Sequence, residues 1–535
     1  MKFPRVAAVL PDLKSVGLAL LSAILQILTF PDFELWFLAW FALVPLLIAV
    51  DREKESFARS FVTGWVFGIV FFFGTCWWLT FAPITYAGFP ALLAYFLLFC
   101  VTVAAGLFPA LFAGVLAVVL RRFGSAAFFA ASPIWAAAEY ARYWITGNCW
   151  NAVGYAAAFG DRPLLRLASV GGVYLVGAFF VVLSSILAWF WATRNSQSTM
   201  RRWVISGLAL VSAALFFSDL SPGDRDTIEH AANAKADATV VAIQPDVPMS
   251  GLTYDSYSRL RSKHVALAES ALATLNEQPA MVGRRTTTVI FPESPMSFMY
   301  DEDPEFQDFV SRFASRNNVN VLFNSAEPDA ANKKYFNSAV LVNTEGREIA
   351  QYDKIYLLPF GESVPWPLQS IMPAFVGSFS YGKEYDLIPL GDARAGVMIC
   401  FESHFGELSR RYVRDGADVL IEMTNDGYLG PTPVLRQHLA NAVFRAVETN
   451  RPVLRVTNVG VTAYINELGD VIDPAESYTE ATRVWSVSKS DGSQTFYVKY
   501  GDWFAWICCV VTISLLGLAV RQRKSVFPAG ETHRQ

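Results

Sequence analysis

Reactive side chains are few in the long polar part of this chain, and one of them is a thiol. Cys400 ends the apolar run 396–399 and is the only cysteine between the strongly apolar ends of the sequence. A cysteine without a partner in its own domain cannot form an internal disulfide there. Two interpretations remain: a buried structural cysteine, or a nucleophile, which reacts as the thiolate and needs neighbours that favour this form.

Isolated charges in two other segments could supply such neighbours. Glu293 follows an apolar run and lies between Pro292 and Pro295, which stiffen the turn around it. Lys354 and Glu362 stand alone in an apolar segment punctuated by glycine and proline. A carboxylate at such a place could act as a general base, and a lysine could stabilise an oxyanion. Taken singly, each charge is equally well explained as a solvated surface residue.

The residues after Cys400 also bear on its reactivity. A helix-like run follows it, and a thiol at a helix N-terminus gains from the helix dipole, which favours the thiolate. Glu402 lies two residues further on. Each of the three segments places its reactive or charged residue just past an apolar strand, where the catalytic groups of α/β folds collect.

The strands and helices that position these residues can be predicted from the pattern of apolar runs. Between residues 238 and 500, strand-like and helix-like runs alternate, which predicts an α/β domain with both faces of its sheet covered. Strands are predicted at 238–244, 287–291, 320–323, 338–342, 348–352, 395–399, 418–421, 453–456 and 461–465. Helices are predicted at 257–276, 306–316, 405–414 and 434–449.

Strongly apolar segments flank this domain. Of the 535 residues, 53% are hydrophobic, and a run of roughly 18 or more apolar residues is a candidate membrane span. A membrane domain is predicted over 1–218, followed by a linker over 219–237, a catalytic domain over 238–502 and a last span over 503–520. About seven transmembrane helices are predicted before the linker, at 15–30, 33–50, 60–82, 91–120, 126–145, 167–192 and 203–217. The first two could instead form a re-entrant hairpin.

Positive charge predicts the orientation of these spans. Arginine and lysine lie before the first span, in alternate connections, and after the last span in the tail 521–535. Both termini are therefore predicted to be cytoplasmic and the domain at 238–502 to lie across the membrane. Arg162 and Arg166, after the fifth span, are the exception. The net charge of −4 gives no case for a nucleic acid partner.

The order Glu–Lys–Cys resembles the carbon–nitrogen hydrolase (nitrilase) superfamily. Further motifs resemble the apolipoprotein N-acyltransferase family, as does the order of a multi-span part, a catalytic domain and one closing span. These motifs are Gly361-Glu362 before Val364-Pro365, Asn425-Asp426, Arg445-Ala-Val-Glu448, Arg451-Pro452 before Thr457-Asn-Val-Gly-Val-Thr462, and Trp150-Asn-Ala-Val-Gly-Tyr155. The resemblance implies a multi-pass protein of a bacterial inner membrane with a periplasmic, nitrilase-like α-β-β-α sandwich.

The resemblance also implies a reaction and the residues that carry it. Cys400 would take an acyl chain from a membrane phospholipid as a thioester, with Glu293 as general base and Lys354 at the oxyanion. Glu362 and Glu402 would support this triad, Glu362 by orienting Lys354. The acyl chain would then pass to the free amine of diacylglyceryl-cysteine in an apolipoprotein. No metal or other cofactor is expected, and the protein is expected to be a monomer.

Substrate contacts and departures from the family pattern complete this hypothesis. The resemblance implies substrate contacts at Trp150, Tyr155, Asn425 and Tyr428. The loops 360–379 and 427–434 are candidate arms that face lipid, although they could equally be domain core. The family usually or commonly has Trp, His, Tyr and Trp where this chain has Phe291, Tyr356, Phe401 and Tyr428. None of these departures removes a reacting group, so they bear on the shape of the substrate pocket.

Three other interpretations compete. A Cys–His hydrolase could use His404 or His438, although no third orienting group is evident. A membrane-tethered amidase would share the triad and release its product to water. A transporter would need charge within its spans, where Glu139 and Arg142 are three residues apart and could pair on one helix face.

Overall fold

The computed structural model describes residues 9–147, 149–160, 162–194, 236–277, 286–296, 298–364 and 379–521. The predicted span 203–217 lies outside these ranges. So do most of the predicted linker 219–237, most of the predicted arm 360–379, and the predicted tail beyond Arg521.

Helices make up the described chain before residue 195. Their bounds are Leu13–Ile27, Val44–Glu53, Phe57–Thr75, Phe81–Thr85, Ala91–Ala105, Leu107–Phe123, Ala131–Thr146, Arg162–Leu165 and Ala168–Ala192. Short 3-10 turns lie between them at Trp36–Trp40, Trp77–Thr80, Gly124–Ala130 and Val153–Ala157. Side chains cap two of the helices: Asp12 accepts the N–H of Ser15, and Ser56 accepts the N–H of Arg59.

Four helical stretches in the described chain are long and apolar enough to cross a membrane: Phe57–Thr75, Ala91–Thr146, Ala168–Ala192 and Trp503–Arg521. The apolar helix Leu13–Ile27 is shorter. These stretches confirm that the N-terminal part is a multi-helix membrane domain. The predicted span 91–120 is two helices, one ending at Ala105 and the next beginning at Leu107. Pro109 has no N–H to donate to the carbonyl of Ala105, which accounts for the break at this point.

The charges of Glu139 and Arg142 bond to a loop rather than to each other. Glu139 Oε1 accepts the N–H of Val153 at 2.8 Å. Arg142 donates to the carbonyl oxygen of Trp150 at 2.9 Å. The local pair expected from their spacing is therefore replaced by two contacts that fix the loop after the helix Ala131–Thr146.

Two six-stranded sheets form the frame of the C-terminal half in its described part. The strands are β1 Ala238–Gln244, β2 Thr286–Ile290, β3 Asn320–Asp329, β4 Lys334–Val342, β5 Glu348–Asp353, β6 Leu387–Leu390, β7 Ala393–Ile399, β8 Val419–Thr424, β9 Val453–Thr457, β10 Ala463–Ile465, β11 Val471–Ile472 and β12 Ala481–Val487. The orders are β12-β1-β2-β3-β4-β5 and β11-β10-β9-β8-β7-β6. Strands β1, β2 and β3 are mutually parallel, as are β7, β8 and β9, so the ends of each set lie at one edge.

The sheets face each other and helices cover their outer faces. Ile290 and Leu322 of the first sheet share one core with Val397 and Ile421 of the second. The helices Tyr254–Asn276 and Pro304–Asn317 pack on the first sheet, and Gly406–Arg414 and Val434–Thr449 pack on the second. The short helix Phe496–Tyr500 then leads to the membrane helix Trp503–Arg521. This is the predicted α-β-β-α sandwich.

Most strands and helices lie where the sequence predicts them. β1 and the helix Val434–Thr449 have the predicted bounds. Strands β6, β11 and β12 were not predicted. β6 and β11 have only four and two residues, and β12 is a half-exposed edge strand with little apolar signal.

One helix joins the two halves of the chain. This helix, Val434–Thr449, is called the docking helix below. Gln437 on its first turn accepts the indole N–H of Trp78 at 3.1 Å and that of Trp150 at 2.8 Å. Arg436 makes two hydrogen bonds to the carboxylate of Glu34, at 2.7 and 2.8 Å. The C-terminal domain therefore contacts the N-terminal helices through hydrogen bonds and an ion pair as well as through packing.

Candidate active site

The thiol of Cys400 lies on a sharp turn directly after β7. Cys400 has a φ of +53°, a conformation that is uncommon for a residue with a side chain. A 3-10 turn over Cys400–His404 follows, and the α-helix begins only at Gly406. The prediction that Cys400 stands at a helix N-terminus is therefore wrong, because the strand ends in a turn that separates the thiol from the helix. The turn leaves Cys400 partly exposed at the strand end.

Glu402 joins this turn to the segment that carries Lys354. Its buried carboxylate accepts four hydrogen bonds, from the N–H groups of Ile399 at 2.8 Å, Ile355 at 2.7 Å and Tyr356 at 3.0 Å and from the hydroxyl of Tyr352 at 2.8 Å. Burial raises the pKa of Glu402 to about 7, against the effect of these hydrogen bonds. Glu402 is thus a brace within the domain rather than a group that faces substrate.

Lys354 lies buried between two carboxylates. Its Nζ is 2.8 Å from Oε2 of Glu362 and 3.7 Å from Oε1 of Glu293. Burial acts to lower the pKa of Lys354, but the charges of Glu362 and Glu293 outweigh it and hold the pKa above its ordinary value. The side chain is therefore a fixed cation, which is what stabilisation of an oxyanion requires.

Asn337 ties the same two carboxylates together. Its Nδ2 donates to Oε1 of Glu293 at 3.1 Å and to Oε1 of Glu362 at 2.7 Å. Its Oδ1 accepts a hydrogen bond from Asn324 at 2.6 Å, so the amide is held in one orientation. The sequence did not reveal Asn337, because a neutral side chain within the strand β4 carries no charge or motif that signals a site.

Burial raises the pKa of both Glu293 and Cys400. Removal from water raises the pKa of Glu293, although the charge of Lys354 opposes the rise. Burial and then the charge of Glu293 raise the pKa of Cys400 well above its ordinary value. The two side chains are close enough that the charge of Glu293 acts on the thiol. The thiol is therefore protonated at rest, and the carboxylate beside it is placed to take its proton.

A buried ionic network lies behind the thiol. His438 Nδ1 is 2.7 Å from Oδ1 of Asp426, and its Nε2 is 3.1 Å from the carbonyl oxygen of Cys400. Arg455 donates to Oδ2 of Asp426 at 2.7 Å and forms an ion pair with Glu422. All four of these side chains are buried. The network touches the backbone of Cys400.

The histidines of the Cys–His alternative have other partners. Nε2 of His404 accepts the N–H of Cys149 at 3.0 Å, and burial lowers the pKa of His404 well below its ordinary value. His438 bonds to the backbone carbonyl of Cys400. Among the hydrogen bonds of the described chain, neither ring reaches the sulfur of Cys400.

Three of the predicted substrate contacts lie in packed surroundings. Trp150 stacks on His404 with ring centres 5.3 Å apart. Tyr155 packs edge-on against Phe444, with ring centres 4.8 Å apart. Asn425 is buried, and its Oδ1 accepts a hydrogen bond from Asn458 at 2.9 Å. Their roles in substrate contact stay predictions.

Tyr428 is the exposed member of the predicted set. It lies on the 3-10 turn Gly427–Leu429, and 55% of it is accessible. The hydroxyl of Tyr86, in the N-terminal part, donates to the carbonyl of Gly427 at 3.2 Å. Gly430 has a φ of +69°, and the ring of Phe81 fills the space that a side chain there would need. The loop 427–434 therefore lies against the membrane domain, and the role of Tyr428 in substrate contact stays a prediction.

The geometry is suited to acyl transfer through a covalent intermediate. A thiol, a carboxylate that can take its proton and a buried cation meet at the ends of β2, β5 and β7. A thioester formed by such a set splits one difficult transfer into two easier steps. Among the described residues, no group of three His, Cys, Asp or Glu side chains is arranged to hold a metal ion.

The fold and this set of residues define a carbon–nitrogen hydrolase domain. The family model described as carbon-nitrogen hydrolase matches residues 211–495, and the model described as apolipoprotein N-acyltransferase N-terminal domain matches residues 22–187. The chain belongs to the apolipoprotein N-acyltransferase family.

Curated relatives match over nearly the whole chain. The apolipoprotein N-acyltransferase of Geobacter metallireducens is 31% identical over 524 residues, which cover 95% of this chain and 96% of the relative. That of Thermotoga maritima is 28% identical over 519 residues, which cover 94% and 93%. The solved structure of Saccharomyces cerevisiae Nit3, a member of branch 10 of the nitrilase superfamily, has a TM-score of 0.37 and 19% identity, and the match covers 48% of this chain and 92% of that one.

Proposed function

We propose that this protein transfers an acyl chain from a membrane phospholipid, through a thioester on Cys400, to the N-terminal amine of diacylglyceryl-cysteine in an apolipoprotein. The observation that carries this proposal is the meeting of Glu293, Lys354 and Cys400 in a domain joined to membrane helices. Relatives named apolipoprotein N-acyltransferase, similar over nearly the whole chain, support the choice of acceptor.

In the first half-reaction, Glu293 takes the proton of the Cys400 thiol. The sulfur attacks the acyl carbonyl carbon of the phospholipid, and the ester C–O bond breaks. The leaving alkoxide receives the proton from Glu293 and departs as lysophospholipid. The raised pKa of Glu293 supports this role, because a carboxylate that binds a proton more tightly is a better base and its acid form can return the proton.

Lys354 stabilises the negative charge that develops on the acyl oxygen. Its position against Glu362 and Glu293 holds the ammonium in place before substrate binds, so no reorganisation is needed during the reaction. Glu362 balances and orients Lys354, and Glu402 holds the turn of Cys400 against the segment of Lys354.

In the second half-reaction, the amine of the acceptor attacks the thioester carbon. Glu293 takes a proton from the attacking nitrogen, the C–S bond breaks and the sulfur is reprotonated. An amide and a free thiol result, so the enzyme returns to its starting state. Both substrates are lipids, and the exposed ring of Tyr428, at the boundary with the membrane domain, is a candidate contact for their chains.

The orientation of the catalytic domain is part of this proposal. The distribution of arginine and lysine supports a periplasmic domain and cytoplasmic termini. An epitope inserted at the exposed Gly492 is expected to be accessible to antibody in intact spheroplasts, and one fused to the C-terminus only after permeabilisation. The reverse pattern would overturn the orientation and leave the chemistry untouched.

Intact-mass measurement tests the chemistry directly. The purified protein is incubated with phospholipid in detergent. The wild type is expected to gain the mass of one acyl chain, which hydroxylamine removes, and Cys400→Ala is expected to gain none. Glu293→Gln is expected to form no thioester. An adduct that persists in Cys400→Ala would contradict the assignment of the nucleophile.

The fate of the thioester separates transfer from hydrolysis. A synthetic diacylglyceryl-cysteine peptide with a free amine is expected to discharge the acyl-enzyme and to gain its acyl chain. The same peptide with an acetylated amine is the matched control and is expected to leave the thioester intact. Equal discharge by water in both samples would instead favour the amidase alternative.

A further inference from the structure

The backbone carbonyl of Cys400 is held by a side chain of the docking helix. The carbonyl oxygen lies 3.1 Å from Nε2 of His438, and the hydroxyl of Ser403 lies 3.0 Å from the same nitrogen. Cys400 has a left-handed backbone, at a φ of +53°. A residue in this conformation persists only when its surroundings hold it there. The contact with His438 therefore lies at the strained first residue of the turn Cys400–His404, called the nucleophile turn below.

His438 is itself fixed from behind. Its Nδ1 lies 2.7 Å from Asp426, which also accepts a hydrogen bond from Arg455 at 2.7 Å. Glu422 lies 3.0 Å from Nε2 of His438 and forms an ion pair with Arg455. With an acidic partner at each ring nitrogen, the imidazole is a cation, and both of its N–H groups donate.

We propose that His438 is a positioning residue for acyl transfer, which donates from Nε2 to the carbonyl of Cys400 and so sets the orientation of the nucleophile turn. The N–H and C=O groups of a trans peptide point in opposite directions. Holding the carbonyl of Cys400 therefore also fixes the direction of the Phe401 N–H and restrains the backbone that carries the thiol. This inference rests on the proposed function of Cys400.

The neighbour of His438 extends this connection to the membrane domain. Gln437 accepts hydrogen bonds from the indole groups of Trp78 and Trp150. The ring of Trp150 also lies against that of His438, with centres 5.9 Å apart. The same turn of the docking helix therefore contacts the membrane domain on one side and the nucleophile on the other.

The experiment compares His438→Phe with His438→Gln in the full-length protein. Phe fills much of the imidazole volume but cannot donate, whereas a Gln amide can donate to the Cys400 carbonyl. The control is His264→Gln, a histidine on the helix Tyr254–Asn276 whose Nδ1 contacts the carbonyl of Leu260 at 2.6 Å. The rate of thioester formation is measured at saturating and at limiting phospholipid, and thermal unfolding is measured in the same detergent.

His438→Phe is expected to lower kcat for thioester formation by roughly 100-fold, with KM unchanged, because His438 orients the nucleophile and does not touch the donor. His438→Gln is expected to recover at least a tenth of the wild-type rate, and the control to match the wild type. A rise in KM alone, or no recovery by Gln when both variants melt at the same temperature, would overturn the proposal.

Failure of the proposed function would look different. If wild-type protein forms no thioester, the assignment of Cys400 is wrong. If the wild type forms a thioester and His438→Phe forms it equally fast, only the role of His438 is wrong. If His438→Phe does not fold, the comparison of His438→Gln with His264→Gln decides, and a kcat for His438→Gln below a hundredth of the control would overturn the proposal.

Discussion

Oε1 of Glu402 accepts the backbone N–H of Ile355 at 2.7 Å, across 47 positions of the chain. This bond connects the turn that carries Cys400 with the segment that carries the buried cation, since Ile355 directly follows Lys354. The second oxygen of Glu402 accepts the N–H of Ile399, directly before Cys400. The carboxylate of Glu402 thus holds together the backbone next to Lys354 and the backbone next to Cys400.

Glu402→Gln should weaken the contact between the turn of Cys400 and the segment of Lys354. The Gln amide has one oxygen and one nitrogen, so at least one N–H group now bonded to Glu402 loses its acceptor. The free energy of unfolding is expected to fall by about 1–3 kcal/mol, the usual cost of an unsatisfied buried group. Denaturant unfolding in detergent measures this, and thioester formation should slow in parallel. Glu384→Gln, at an exposed position, is the control and should change neither.

Loss of the buried cation should slow thioester formation strongly. Lys354→Met removes the group that faces the oxyanion, and the rate is expected to fall by roughly 10²–10³-fold, as when one oxyanion donor is removed. The pulse-quench rate of the acyl adduct measures this. Lys383→Met, at an exposed lysine, should keep the wild-type rate. A Lys354→Met variant that acylates normally would contradict the role of Lys354.

The fall in the rate of thioester formation at low pH, the acid limb of the pH profile, should follow the protonation of Glu293. The protonated acid cannot take the thiol proton, so kcat/KM for thioester formation should fall as the pH falls through the pKa of Glu293, which burial raises above its ordinary value. Asn337→Leu removes a hydrogen bond that lowers this pKa. The acid limb is expected to move to higher pH by about one unit in this variant. An acid limb at the same pH in both proteins would argue against Glu293 as the base.

The stability of the domain should depend on the protonation of His438. Burial acts to lower its pKa, but Asp426 and Glu422 outweigh burial and the opposing charge of Arg455, and raise the pKa to about 9. The unfolded-state pKa is about 6.5, so the stabilisation is complete below that pH and is lost as the pH rises through 9. It amounts to about 3 kcal/mol at most. Unfolding between pH 6 and 10 should show this loss in the wild type and not in His438→Gln.

The reactive and charged residues at strand ends were predictable from the sequence, whereas the contribution of Asn337 was not. Glu293, Lys354 and Cys400 each follow an apolar run, and parallel strands bring such ends to one edge of a sheet. Asn337 lies within β4 and bonds to residues 44 and 25 positions away. A sequence pattern reports local burial, but the partner of a neutral side chain depends on tertiary register, which local patterns do not specify.

The contact between His438 and Cys400 also could not be predicted from local sequence patterns. The position of His438 on a helix was predicted, and its contact with the backbone of Cys400 was not, because that contact depends on the angle at which the docking helix crosses β8 and β9. The edge strand β12 also escaped prediction, since a half-exposed strand mixes polar and apolar residues without a clear period.

The ion pair between Arg436 and Glu34 spans 402 positions of the chain. During synthesis, the N-terminal helices leave the ribosome long before the docking helix does, and contacts so distant in sequence form late. His438 of that helix bonds to the carbonyl of Cys400, so a growing chain carries the cysteine before this contact can form. Chains that end before the docking helix are therefore expected to form no thioester with phospholipid.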